Sequence, residues 1–64
     1  MAMTPEQRRR LEETLDKMDS QEVDRVLQTI HTFTDFLYYK FRDIYNAVKN
    51  IIKQVWESIK SIFS

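Results

Sequence analysis

Glycine and cysteine are absent from the 64 residues, and proline, histidine and tryptophan occur once each, as Pro5, His31 and Trp56. Without glycine there is no loop of the kind that cradles phosphate. Without cysteine there are no disulfides, thiolate metal sites or cysteine nucleophiles. A single imidazole rules out histidine-rich zinc or iron centres and leaves at most weak carboxylate sites. His31 has no serine–acid arrangement around it, and pairs such as Glu12/Glu13 or Asp16/Asp19 have no apolar pocket to raise a carboxyl pKa. Catalysis is therefore not expected, and neither a cofactor nor a metal is implied.

Charge of one sign is also missing. Ten basic residues balance ten acidic ones, so no global field draws the chain to nucleic acid. The signs are nonetheless segregated: residues 1–39 hold eight acids against five bases, and residues 40–64 hold five bases against two acids. An acidic front and a basic rear favour antiparallel pairing, within a chain or between chains. Charged residues occupy the start, where a secretory signal needs an apolar core, and no run approaches the roughly 20 apolar residues of a membrane span. With cysteine absent as well, a cytoplasmic location is the expectation. Met1-Ala2 ahead of Met3 reads as a cloning remnant, with the natural start at Met3.

What the chain does have is helical periodicity. Thr4-Pro5-Glu6-Gln7 is a helix start: Thr4 as N-cap, Pro5 at the first position, and Gln7 to complete a capping box. That helix should span about residues 5–18, with Leu11, Leu15 and Met18 as a narrow apolar stripe. Arg8–Glu12, Arg9–Glu13 and Glu13–Lys17 pair at i,i+4 spacing, so Arg8-Arg9-Arg10 reads as a solvated, paired face and not a phosphate grip. Asp19 then caps a second helix, and the apolar stripe shifts phase there, which separates the two.

From residue 23 to 63 nearly every apolar position falls in one arc of about 140° when wound as a single helix. The expected architecture is therefore all-α, a short N-terminal helix plus one long amphipathic helix over about 20–63. Such a helix would have about 40 residues and measure about 60 Å. The β-branched stretch Thr29-Ile30-His31-Thr32-Phe33-Thr34 is the weakest helix former in the chain. A cap at Thr32 or Thr34 gives the alternative of two helices, 20–32 and 35–63. Residues 1–64 make one small domain. A chain this short is marginally stable alone, and the first helix can cover only about a third of the long face.

The cover is expected to come from a second copy. Leu37, Phe41, Ile44, Val48, Ile51, Val55 and Ile62 follow the four–three spacing of coiled-coil cores, with Ser58 as the one polar interruption between Val55 and Ile62. With Ile59 added, these residues are the candidate oligomer interface: Leu37, Phe41, Ile44, Val48, Ile51, Val55, Ile59 and Ile62. The seam's width suits bundles of three or four helices better than a two-stranded coil, and the expected assembly is an antiparallel dimer or a four-helix assembly. Thr34 also interrupts it.

Six of the eight aromatics lie between Phe33 and Tyr45. Phe33, Phe41 and Tyr45 fall on the core arc, whereas Phe36 and Tyr39 point away from it and form a candidate second interface. Stacking of single-stranded nucleic acid on this cluster is the less favoured reading. His31 and Asp35, four apart, suggest an ordinary ion pair. Residues 44–64 resemble in character an amphipathic helix that lies on anionic lipid, with Lys53, Trp56, Lys60 and Phe63 as its contacts. The functional expectation is a non-enzymatic interaction and oligomerisation module, a small regulatory or accessory protein that binds itself and another protein. A peripheral membrane protein stands second, and a monomeric three-helix bundle that inhibits or adapts a partner stands third.

Overall fold

A capping box starts the first helix: Thr4 Oγ1 accepts from Gln7 N–H, and Gln7 Oε1 accepts from Thr4 N–H, both at 3.1 Å. This start belongs to a computed structural model that describes residues 3–63; Met1 and Ala2, including the reading of them as a remnant, lie outside the described residues, as does Ser64. Helix α1 covers Pro5–Lys17 and buries Leu11 and Leu15. Asp19 then caps α2, Ser20–Val26, by accepting from Gln21 N–H at 3.3 Å. The separation expected at Asp19 is thus present. All the regular structure among the described residues is helical.

One continuous helix over 20–63 is not present. A turn at residues 27–29 leads into α3, Ile30–Lys40; Phe41 alone separates α3 from α4, Arg42–Val48; a 3-10 turn, Lys49–Ile51, leads into α5, Ile52–Phe63. The first interruption lies ahead of the expected 32–35, for a local reason. Thr29 caps α3 by accepting from Thr32 N–H at 3.0 Å, and Thr32 Oγ1 accepts from Thr29 N–H at 3.1 Å. This is a capping box with threonine in the place usually held by Glu or Gln. The Thr32 hydroxyl also lies 2.9 Å from the Val26 carbonyl, tying the end of α2 to α3. Thr34, the other proposed cap, instead donates to the Ile30 carbonyl at 2.7 Å inside the helix.

Folding back at these joints turns one long arc into a closed core. Leu11, Leu15, Val23, Leu27, Phe33, Leu37, Ile44, Val48, Val55 and Ile59 are all buried in one cluster. The radius of gyration is 10.5 Å and the longest extent 29 Å. A compact chain of this length should have a radius of about 10.7 Å, so the 60 Å rod is excluded. The phase was conserved because each segment turns the same side to a shared centre. Continuity was not needed for that.

This placement corrects the candidate oligomer interface. Leu37, Ile44, Val48 and Ile59 are 0% exposed and Val55 is 7%. They fill the chain's own core and offer nothing to a second copy while the fold is closed. Phe41 and Ile51 are half-buried against that core, and only Ile62 is exposed. The polar interruption of the seam also has a use: Ser58 Oγ receives a hydrogen bond from Arg8 at 3.0 Å, docking α1 on α5.

One ion pair joins the two halves of the chain, and its polarity is the reverse of the overall segregation. Arg10 from the front grips Asp43 from the rear through two contacts of 3.1 and 3.4 Å, and Gln7 adds a third at 3.3 Å. The Arg10 hydrogen bond, chiefly, holds the Asp43 carboxyl below its ordinary value of 3.8; desolvation opposes it, and the Gln7 hydrogen bond and the Arg10 charge assist. A carboxyl lowered by folding adds stability above its unfolded pKa and loses it as pH falls through the folded value. Asp43→Asn should therefore reduce stability at neutral pH by at most about 1 kcal/mol, as exposed pairs do. The difference from wild type should vanish in acid below the lowered pKa. Thermal unfolding at both pH values checks this, and an undiminished difference in acid would count against the clamp.

Candidate docking groove

Helix α3 presents two faces. Phe33 and Leu37 enter the core, whereas Thr32, Asp35, Phe36, Tyr39 and Lys40 line the other side at the three- and four-residue steps of a helix. Arg25 and Val26, at the end of α2, form the facing wall. Between the walls lies an open, mainly apolar groove of about 310 Å³. The Thr32–Val26 hydrogen bond fixes the walls at one end. Phe36 lines the groove and is half-buried, its ring set edge-on to Phe41 with centroids 6.0 Å apart. Arg10 lies 5.6 Å from the Phe41 centroid on α1's side.

Tyr39 is the outlying residue, 78% exposed, the most exposed large apolar side chain among the described residues. Its ring meets Tyr38 edge-on at 5.2 Å. Tyr38 is otherwise occupied: Arg42 lies 3.9 Å over its ring and Tyr45 packs against it at 5.3 Å. A track for nucleic-acid bases uses open ring faces in succession; Tyr38 is covered in this way, whereas Tyr39 is exposed. The charges around the groove are uneven. Asp35 lies 3.3 Å from His31, both exposed, while neither Arg25 nor Lys40 takes part in a salt bridge among the described residues.

The residues of the lipid-contact reading are placed differently from that expectation. Lys53 and Lys60 are exposed, but Trp56 and Phe63 are half-buried and packed on the core. Trp56 Nε1 donates to the Leu27 carbonyl at 3.0 Å, and Lys60 lies 4.6 Å over the indole. With Val55 and Ile59 also inside, the apolar side of α5 is engaged within the protein except at exposed Ile62. Among the described residues no helix is long and apolar enough to cross a membrane. The carboxylates do not converge either: among the described residues no three acidic or histidine side chains gather where they could hold a cation.

Phe36 and Tyr39 were legible in the sequence because their phase differs from that of the core residues. The opposite wall, Arg25 and Val26, was not, since it reaches α3 only through the turn at 27–29. The Arg10–Asp43 clamp and the Trp56–Leu27 bond join residues 33 and 29 positions apart, and no local pattern announces them. Comparison with protein-family models, curated proteins and solved structures finds no match to this chain.

Proposed function

We propose that this protein is a non-enzymatic binding module that receives an amphipathic segment of another protein in the groove between α2 and α3. The supporting observation is Tyr39, left in water beside half-buried Val26 and Phe36 although the core closes without it. Contiguous apolar surface of this kind marks interaction sites. From Thr32 to Lys40 the α3 wall runs about 12 Å, or two turns. That length accepts two or three anchoring side chains of a helical or extended ligand. Arg25 and Lys40, without ion-pair partners among the described residues, suit a ligand with carboxylates beside its apolar ridge. Acting by occupancy, such a module tethers or regulates its partner.

Peptide display against the intact protein, with counter-selection on Tyr39→Asp, tests the reading. Selected peptides should be acidic and amphipathic, and should shift the backbone amides of Arg25, Val26 and residues 32–40. Tyr39→Ala should weaken them about tenfold or more, as loss of a central aromatic anchor does, while leaving the unfolding midpoint nearly unchanged. Peptides that bind equally well to Tyr39→Asp, or that map elsewhere, would remove the groove from consideration.

A further inference from the structure

The joint at Phe41 is made without any residue that demands it. Phe41 alone leaves the helix, at φ −139° and ψ 68°, and α4 starts with no side-chain cap. By contrast α1, α2 and α3 start on capping side chains from Thr4, Asp19 and Thr29. The segment Tyr38-Tyr39-Lys40-Phe41-Arg42-Asp43 contains neither glycine nor proline. Helical bonding persists on both sides, with Phe41 N–H donating to the Leu37 carbonyl and Tyr45 N–H to the Phe41 carbonyl, each at 2.8 Å.

A helix running through this point would add backbone bonds from Arg42, Asp43 and Ile44 to the carbonyls of Tyr38, Tyr39 and Lys40. One of these carbonyls has a substitute donor. Arg42 Nε donates to the Tyr38 carbonyl at 3.1 Å, where its own backbone N–H would otherwise bond. The same guanidinium covers the Tyr38 ring at 3.9 Å. Arg42 thus pins the joint open. Across the joint the core residues Phe33, Leu37, Ile44 and Val48, each 0% exposed, would share an arc of about 60° on a continuous helix. The sequence is written for both geometries.

We infer that the chain has a second arrangement in which Phe41 turns helical, α3 and α4 fuse over residues 30–48, and two copies exchange α4–α5. Straightening the joint carries α5 away from α1–α3 and uncovers the shared stripe. Only the same elements of another copy fit the vacated positions. The Arg10–Asp43 clamp, the Arg8–Ser58 bond and the Trp56–Leu27 bond then re-form between copies. Exchange of an identical element is a low-cost route to a dimer because its contacts are already optimised. This inference is independent of the groove's ligand.

Two substitutions at one position test it. Arg42→Ala and Arg42→Pro both remove the guanidinium, but alanine permits a helix through the joint and proline forbids one. Proline suits the first position of α4, and its ring excludes the Tyr38 carbonyl from a continuous turn. Each chain is refolded at millimolar concentration, checked by circular dichroism, and resolved by size-exclusion chromatography with light scattering. Arg42→Ala should raise the dimer association constant about tenfold or more over wild type, because each of the two closed monomers that make a dimer loses a hydrogen bond that the straightened joint does not use. Arg42→Pro should be monomeric throughout. The dimer should persist on dilution, since reversal requires opening the fold. If Arg42→Pro does not fold, Phe41→Ala against Phe41→Gly replaces it, with more dimer expected from alanine. Equal shifts in both members of a pair, a monomeric Arg42→Ala, or a dimer that dissociates at once on dilution would overturn the inference.

Discussion

Phe33→Ala is expected to leave the protein largely unfolded at physiological temperature. Phe33 is the largest of the fully buried side chains, at 0% exposure, and it sits on α3 where the helices converge. Truncating a buried phenylalanine to alanine costs about 3–5 kcal/mol through lost transfer energy and the cavity left behind. A chain of this length has about 3–10 kcal/mol in total at the usual stability per residue. Each kcal/mol lowers the midpoint of so small a domain by about 4–8 °C, so a fall of about 15 °C or more should be seen by calorimetry. Phe33→Leu should lose far less, because most of the volume remains. Tyr39→Ala, six residues on along the same helix, should leave the midpoint nearly where it was. Comparable losses at both positions would mean that the two faces of α3 are not divided between core and groove in this way.

How much of this was readable in the sequence depended on whether the deciding contact was local. Thr4, Pro5 and Gln7 lie within one turn, and the start of α1 follows from them directly. Asp19 marks the next start for the same reason. Thr29 was harder, since its capping partner is Thr32, whose side chain also serves the Val26 carbonyl of the preceding helix. The β-branched stretch does hold a helix start, but the cap lies at its beginning, Thr29, and not in its middle. Phe41 carries no local signal at all. Its departure from the helix is stabilised by Arg42 reaching back to Tyr38 and by the burial of Ile44, Val48, Val55 and Ile59 against α1–α3. Tertiary packing overrides a favourable local propensity there. The 3-10 turn at Lys49–Ile51 likewise starts without a side-chain cap. The groove is half legible for a related reason: α3's phase reveals Phe36 and Tyr39, but the wall that makes them a groove needs a turn that phase cannot reveal.

Ile44→Asp and Ile51→Asp should differ sharply, and the difference separates a folded-back chain from an intermolecular seam. Both positions carry the four–three spacing, so a coiled interface between long helices would suffer about equally from either charge. In the folded chain the two sites are unlike. Ile44 is 0% exposed and follows Asp43 directly, so a carboxylate there is buried without a cation and beside another acid. That should cost several kcal/mol and abolish cooperative unfolding. Ile51 closes the 3-10 turn and is half-buried; an aspartate there can swing its carboxylate into water, at a cost of about 1 kcal/mol. Sedimentation velocity at neutral pH should find an expanded species for Ile44→Asp and a native-like one for Ile51→Asp, with urea midpoints to match. Should both variants collapse together, Ile51 would have to be as deeply enclosed as Ile44, which requires a covering surface that a single folded-back copy does not possess.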